Sequence, residues 1–348
     1  MVKTILLISN HLSGINSNPT VVEVLGIRLL EDGWQVIKTS SLKNKFLRMG
    51  DMLLTTYTKK NFYQLALIEV YSGLAFLWAF LCGCLLKFLQ KPFILALHGG
   101  NLPNFAHSHP IIVRKLFSWS NEIYSPSPYL KGKLSSFNPN IKIIPNPIEI
   151  EKYEFKPRNQ ISPKMIWLRA FHDIYNPSLV PKVLSILLSN HCKDLEILMV
   201  GPDKGDGSLQ KMILLAEQLK VVQLIKVVPG VPKDQVPFYL NIGDIFINTT
   251  NIDNTPVSVI EAMACGLCVV STNVGGLPYL LQNEVDALLV PPDDPEAMAS
   301  AIQRILNEPD LAARLSINAR IKAEQFDWSI ILPQWENIFG SILTRENV

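Results

Sequence analysis

Residues 248–292 read NTTNIDNTPVSVIEAMACGLCVVSTNVGGLPYLLQNEVDALLVPP. The apolar run DIFINT at 244–249 enters this stretch and predicts a strand. VSVIEAMA at 257–264 carries apolar residues at helical spacing. Thr255 is placed as N-cap and Pro256 as first helical residue, since a hydroxyl accepts a first-turn N–H and proline has none to leave unused. Gly266 is placed to stop the helix. The apolar run LCVVST at 267–272 predicts the next strand, and Gly275-Gly276 follow. Strand, helix, strand at this spacing is a βαβ unit, which implies a parallel sheet covered by helices. A helix that starts beyond a strand end binds anions through its free N–H groups and its dipole. Asn254, Pro256 and Val257 frame that start. Glu261 is a lone acid in an otherwise apolar helix, one turn further on. Either a neighbouring cation or backbone group satisfies it, or it accepts both hydroxyls of a ribose.

Working outward, the same alternation fills the chain. Strands are predicted at 4–9, 34–39, 65–71, 93–98, 122–125 and 141–144, and again at 164–169, 196–201, 224–228, 244–249, 267–272 and 287–290. Amphipathic stretches such as VVEVLGIRLLED and SLQKMILLAEQLK lie between them. Continuous apolar strands alternating with helices define the fold class as α/β, with two doubly wound Rossmann-like domains in tandem. Pro145, Pro147, Pro157 and Pro163 punctuate 145–163, which reads as linker. The predicted domains are 1–155 and 160–326, with a C-terminal helix at about 327–348 packing back on the first and a kink or restart at Pro333. Ligands of such sheets bind beyond the strand ends, so an active site in a cleft between the domains is expected.

Composition bounds the function. The 348 residues are 48% hydrophobic and 18% charged, with a mean hydropathy of +0.20. That excludes a disordered or fibrous chain. A net charge of +2 excludes nucleic-acid binding by bulk charge. The charge is unevenly spread. Residues 1–150 hold 15 Lys and Arg against 7 Asp and Glu, and residues 151–348 hold 17 against 23. A basic front half suits an anionic surface such as phospholipid. The 17 uncharged residues 70–86 sit at the lower limit for a spanning helix. Strand followed by buried helix, or attachment to a membrane surface through Phe76, Trp78 and Phe80 with Lys43, Lys45, Arg48, Lys59 and Lys60, fits better than a span. The opening MVKTILLISN reads as a strand rather than a signal peptide. The five cysteines form no zinc pattern, and the pairs Cys82/Cys84 and Cys265/Cys268 read as reduced, buried thiols of a cytoplasmic protein.

The quoted stretch resembles the family 4 retaining glycosyltransferases, which have the GT-B fold. The marks are Asp253 and Glu261 with seven residues between them, Ala262-Met263-Ala264, Gly266, CVVST, Gly275-Gly276 and Val290-Pro291-Pro292-Asp293. The resemblance implies that Glu261 binds the nucleotide ribose and that Asp253, where Glu is usual, contacts the donor sugar. In MIWLRAFHDIYNP, Arg169 falls where an Arg contacts the diphosphate. The Lys usual five residues later is Ile174 here, so one phosphate clamp is missing or is replaced by Tyr175, Asn176 or His172. Gly201 ends a strand as in the family, and Gly230-Val231 stand where backbone contacts the nucleobase. Gly14, in SGINSNPTVVEVLG, would let the backbone approach donor or acceptor. His98, in LHGGN at 97–101, is assigned to the sugar or acceptor site.

The resemblance implies transfer of a hexosyl group from a nucleoside-diphosphate sugar to an acceptor hydroxyl with retention, in polysaccharide or glycolipid synthesis. No cofactor is expected beyond the donor substrate. None of the 14 aspartates forms an Asp-x-Asp metal motif, so the helix dipole and Arg169 would stabilise the leaving group without metal. The acceptor would be a glycan or a lipid-linked saccharide, and the enzyme cytoplasmic or peripheral at the membrane. Ile174 and the shorter Asp253 keep open a non-catalytic protein that binds a nucleotide sugar or a partner. A nucleotide-sugar epimerase and a membrane-embedded protein are the remaining alternatives.

Overall fold

All twelve apolar runs are strands of two parallel six-stranded sheets in the computed structural model, which describes residues 3–12 and 19–345. The chain divides into two compact units, Met1–Pro147 with Ser329–Val348, and Ile148–Trp328. The first unit runs β1 (Thr4–Ile8), α1 (Val21–Glu31), β2 (Gln35–Thr39), α2 (Lys45–Thr58), β3 (Leu65–Val70), α3 (Leu74–Phe88), β4 (Phe93–Leu97), α4 (Leu102–Ser108), α5 (Pro110–Trp119), β5 (Glu122–Ser125), α6 (Pro128–Leu134) and β6 (Lys142–Ile143). The second runs β7 (Lys164–Leu168), α7 (Leu179–Ser189), β8 (Glu196–Val200), α8 (Ser208–Gln218), β9 (Ile225–Val228), α9 (Val236–Leu240), β10 (Ile245–Asn248), α10 (Val257–Ala264), β11 (Cys268–Thr272), α11 (Leu277–Leu280), β12 (Leu288–Val290), α12 (Pro295–Asn307) and α13 (Pro309–Glu324). α14 (Trp328–Arg345) then closes the chain.

The sheet orders are β2-β1-β3-β4-β5-β6 and β12-β11-β10-β7-β8-β9. Each order reverses direction once, between β1 and β3 and between β7 and β10, and such reversals leave crevices beyond the strand ends. The inner strands β1, β3, β4, β10 and β11 are buried at every position, because helices cover both sheet faces and no alternation is needed. In the second unit one core, around Trp167, Phe171 and Met199, lies on one face. Another, around Phe246, Ile260 and Met263, lies on the other.

Several expectations are corrected. The stretch 148–163 is not a free linker. It packs onto the second unit, where Arg158 is 3% exposed, pairs with Asp244 at 2.9 Å and donates to Gly243 O at 2.9 Å. A buried guanidinium needs such partners, and they fix the segment. The unit boundary accordingly falls at Pro147/Ile148. α14 runs through Pro333 without restarting, and its aromatic face holds it to the first unit: Trp335 packs on Tyr124 and Phe339 on Trp34, at centroid distances of 5.3 and 5.7 Å.

Residues 70–86 form the end of β3 and most of α3. The helix buries Phe76, Ala79, Cys82, Gly83 and Leu86 against the sheet. No helix among the described residues is long and apolar enough to cross a membrane. Phe76 is therefore unavailable to a lipid surface. So is Arg48, whose guanidinium turns inward to Leu42 O, Lys43 O and Asn10 Oδ1 at 2.7–3.0 Å. Cys82, Cys265 and Cys268 are buried free thiols, but Cys84 is exposed.

Candidate functional site

The site in the second unit grows from the β7/β10 reversal. Arg169 leaves the end of β7 and Asp253 lies on the loop after β10. Their side chains form an ion pair, so two groups assigned to different parts of a donor contact each other. The Arg169 guanidinium also lies 4.7 Å above the Tyr175 ring. Burial pushes its pKa down to about 10, which still leaves it cationic at neutral pH. Trp167 holds Tyr175 in place indirectly: its Nε1 donates to Thr249 Oγ1 at 2.9 Å, and that hydroxyl donates to Tyr175 O at 2.6 Å. Ile174, at the position of the expected lysine, contributes backbone: its carbonyl accepts Asn251 N at 2.8 Å.

The loop 249–256 is gripped from several sides. Thr272 Oγ1 donates to Thr250 O at 2.6 Å, and Gly276 N donates to Asp253 O at 3.0 Å. Gly275 has φ +56°, and a Cβ there would stand 2.1 Å from Asp253 O; one on Gly276 would stand 1.7 Å from Asn254 O. The glycine pair is what lets the acidic loop lie on the segment before α11. Gly276→Ala should therefore displace the loop, costing about 1–3 kcal/mol of stability. A thermal-unfolding midpoint equal to wild type would contradict this packing.

α10 begins one residue later than expected. Pro256 is the cap, with ψ 116°, and no side chain caps the helix. The extended angle at Pro256 takes Thr255 out of capping register. Thr255 Oγ1 and Ser258 Oγ are both buried without a hydrogen-bond partner, and so is Arg169 Nε. Buried donors without acceptors are rare and costly, and these accompany the first-turn N–H groups of α10, which no intrahelical carbonyl can serve. Gly266, φ +78°, ends the helix as expected, with Leu267 N donating to Ala262 O and Gly266 N to Met263 O, both at 3.0 Å.

Glu261 is 2% exposed. Its Oε1 accepts the Tyr153 hydroxyl at 2.6 Å and forms an ion pair with Lys233. Burial, with the Glu261 carboxylate adding to it, holds the Tyr153 phenol well above its usual range. Lys233 lies after β9 and its side chain is 45% exposed. It brings a cation to the site, which Ile174 does not. Gly201 serves packing: a Cβ there would stand 1.6 Å from Arg169 O. A Cβ on Gly230 would meet Pro202 at 3.1 Å, and Val231 packs at the edge of the adjoining core. Among the described residues no group of three or more His, Cys, Asp or Glu is placed to hold a metal ion.

Arg169, Asp253, Asn254, Pro256, Val257 and Glu261 thus meet in one unit, with Gly201, Gly230 and Val231 at neighbouring strand ends. His98 belongs to the first unit, after β4, and Gly14 lies outside the described residues. The sequence did not single out Tyr153, Lys233 or Ser258. Tyr153 falls in the proline-punctuated stretch that reads as linker, and Lys233 is one cation among many, though it lies three residues beyond Gly230.

Two Rossmann-like units with a switch-point site define the GT-B fold, and solved structures agree over nearly the whole chain. Sucrose-phosphate synthase from Thermosynechococcus elongatus superposes with a TM-score of 0.80 at 17% identity, covering 99% of this chain and 100% of that one. HepE of Anabaena, in complex with UDP and glucose, gives 0.75 at 14% identity, covering 97% and 100%. Residues 150–322, nearly all of the second unit, match the family described as glycosyl transferases group 1. The D-inositol 3-phosphate glycosyltransferase of Thermobispora bispora is 26% identical over 153 residues, which is 43% of this chain and 36% of that protein. The chain spans about a third of the length of the curated relatives it matches.

Proposed function

We propose that the chain is a retaining glycosyltransferase that moves a hexosyl group from a nucleoside-diphosphate sugar to an acceptor hydroxyl, with the donor held by the second unit and the acceptor by the first. The observation that carries this reading is the group of unpartnered donors at the start of α10. Thr255 Oγ1, Ser258 Oγ and Arg169 Nε are buried and lack acceptors, beside a helix N-terminus that no side chain caps. A diphosphate supplies the acceptors and the negative charge that such a site favours. The UDP and UDP-glucose named with the Anabaena HepE structures support a nucleotide of this class.

The roles follow from the chemistry. Departure of the sugar leaves charge on the diphosphate, and preorganised donors stabilise it in the transition state. Arg169, Lys233 and the α10 dipole do this here. The transition state resembles an oxocarbenium ion, with attack from the face that the phosphate leaves and a phosphate oxygen taking the acceptor proton. Donor binding frees Asp253 from Arg169 to orient the sugar, and frees Glu261 from Lys233 to accept the ribose hydroxyls. Lys233 then turns to phosphate, doing the work of the absent lysine at Ile174.

A thermal-shift screen across nucleoside diphosphates and their sugars tests the site. Ligand at 100 times its Kd adds about 2.7 kcal/mol of stability. No shift with any of them would overturn the reading. A shift with donor sugar, but no release of nucleoside diphosphate when acceptor mixtures are added, would identify a non-catalytic binding protein instead.

Attachment to an anionic membrane surface belongs to the same proposal, since a lipid-linked acceptor would lie there. α2 and α3 leave Phe46, Leu54, Tyr57, Leu77 and Phe88 exposed, and Lys59 and Lys60 stand over the Phe62 and Tyr57 rings. Apolar bulk beside lysine suits an anionic interface. The full chain should co-sediment with phosphatidylglycerol vesicles and less with phosphatidylcholine, and Phe46→Ser with Leu54→Ser should reduce the bound fraction several-fold. Equal sedimentation with both lipids, or no effect of the double change, would remove this part.

A further inference from the structure

The first unit has its own reversal, between β1 and β3, and its strand ends carry a polar cluster that the proposed chemistry does not use. Glu69 is 6% exposed near the end of the otherwise apolar strand LALIEV. Ser9 Oγ, just past β1, donates to its Oε2. Its Oε1 is buried without a hydrogen-bond partner, and the same is true of His98 Nε2. These two atoms lie 3.6 Å apart, a few tenths of an ångström beyond a hydrogen bond. His98 is fixed from two further directions. Its N donates to Val70 O at 2.8 Å, and its ring stacks on Tyr71 with centroids 5.3 Å apart. The His98 side chain is 12% exposed, and since Nε2 is buried that exposure lies elsewhere on the side chain.

We propose that Glu69 is a positioning residue for His98: its carboxylate accepts the Nε2 proton, which fixes the imidazole tautomer and leaves Nδ1 as a hydrogen-bond acceptor for a substrate hydroxyl. In a neutral imidazole, the bond made by one nitrogen decides the role of the other, and carboxylates set histidines this way beside metals and nucleophiles. The hydroxyl partner rests on the glycosyl-transfer reading; the tautomer does not.

The surroundings support an uncharged ring and a carboxyl that titrates near neutrality. Burial pushes Glu69 up to about 7, with Glu23 pushing the same way and hydrogen bonds from Ser9, Thr20 and the Val22 backbone opposing. Burial pushes His98 down to about 4. The other charged or titratable groups nearby are His11, 4.0 Å from Glu23 and influenced by Lys38, Arg48 bound to Asn10, and Tyr71. α3 contributes Ala75, Trp78 and Ala79 to this face, and none of them titrates. Above about pH 7 the Glu69 carboxylate takes the Nε2 proton as a hydrogen bond. Below it, the carboxyl O–H donates to Nε2, and the ring proton moves to Nδ1.

The test is 15N NMR of the His98 imidazole in the full chain, without ligand, at pH 8.5 and 5.5. Wild type should show Nε2–H at the higher pH and shift toward Nδ1–H at the lower. Glu69→Gln should lose this pH dependence, and Glu69→Leu should lose both it and the Nε2–H preference. Nδ1–H in wild type at pH 8.5, a wild-type pH dependence kept in Glu69→Gln, or a wild-type tautomer kept in Glu69→Leu would overturn the proposal. If Glu69→Leu does not fold, Glu69→Gln alone decides. In kinetics, kcat should rise with pH through about 7 in wild type and lose that limb in Glu69→Gln. Should the chain transfer no sugar while the tautomer switches as stated, the positioning role stands and the proposed function falls.

Discussion

Arg169→Ala should lower turnover on the order of 100- to 1000-fold, the usual cost of removing one preorganised donor from developing negative charge. The Arg169 side chain is 13% exposed and its guanidinium stacks on Tyr175, which holds it in place once the donor has displaced Asp253. The effect should appear mainly in kcat, because the charge it opposes grows in the transition state. Arg169→Lys keeps the charge but neither the planar fork nor the stacking, and should recover only part of the rate. Steady-state kinetics with the donor found in the thermal screen checks this. Wild-type turnover in the alanine variant would move the phosphate clamp to Lys233.

Glu261→Ala should weaken donor binding by at least about 100-fold, since hydrogen bonds to a charged group are each worth roughly 1.5–3 kcal/mol and a ribose offers two. The same change removes the acceptor of the Tyr153 hydroxyl and of Lys233. A stability loss of about 1–3 kcal/mol should accompany it. Glu261→Gln separates the two effects, because an amide oxygen still accepts from Tyr153. The glutamine variant should melt near wild type yet bind donor more weakly. Calorimetric titration of nucleoside diphosphate into both variants reads this directly. Unchanged affinity in both would leave Glu261 a structural carboxylate, held by Tyr153 and Lys233 alone.

Much of this was legible because parallel sheets write themselves plainly. A strand buried on both faces is a short continuous apolar run, and every such run that was read is a strand, within a residue or so at each end. The Gly275-Gly276 pair and Gly266 were equally readable, because crowding or positive φ at these places admits no side chain. What failed were inferences that depend on where a side chain turns. Composition groups Arg48 with the surface lysines, but Arg48, Met52 and Thr56 recur every fourth residue and form the buried face of α2. Prolines at 145–163 suggested a linker, although proline constrains φ without saying whether the segment packs. Thr255 reads as a cap because local sequence cannot report the extended ψ of Pro256. Glu69 was the missed signal that sequence did offer: a charge inside an apolar strand requires a partner or a task. Lys233 offered none, since its importance comes from a meeting with Glu261 across 28 residues.

In the proposed function a nucleotide's diphosphate satisfies the donors at the start of α10 while Glu261 takes the ribose. A crystal structure of the full chain with bound UDP, GDP or ADP tests it most directly. Phosphate oxygens within hydrogen-bond distance of Thr255 Oγ1, Ser258 Oγ and the first N–H groups of α10, with Lys233 released from Glu261, are the predicted result. A nucleotide bound elsewhere, with those hydroxyls still lacking partners and Lys233 still on Glu261, would contradict it.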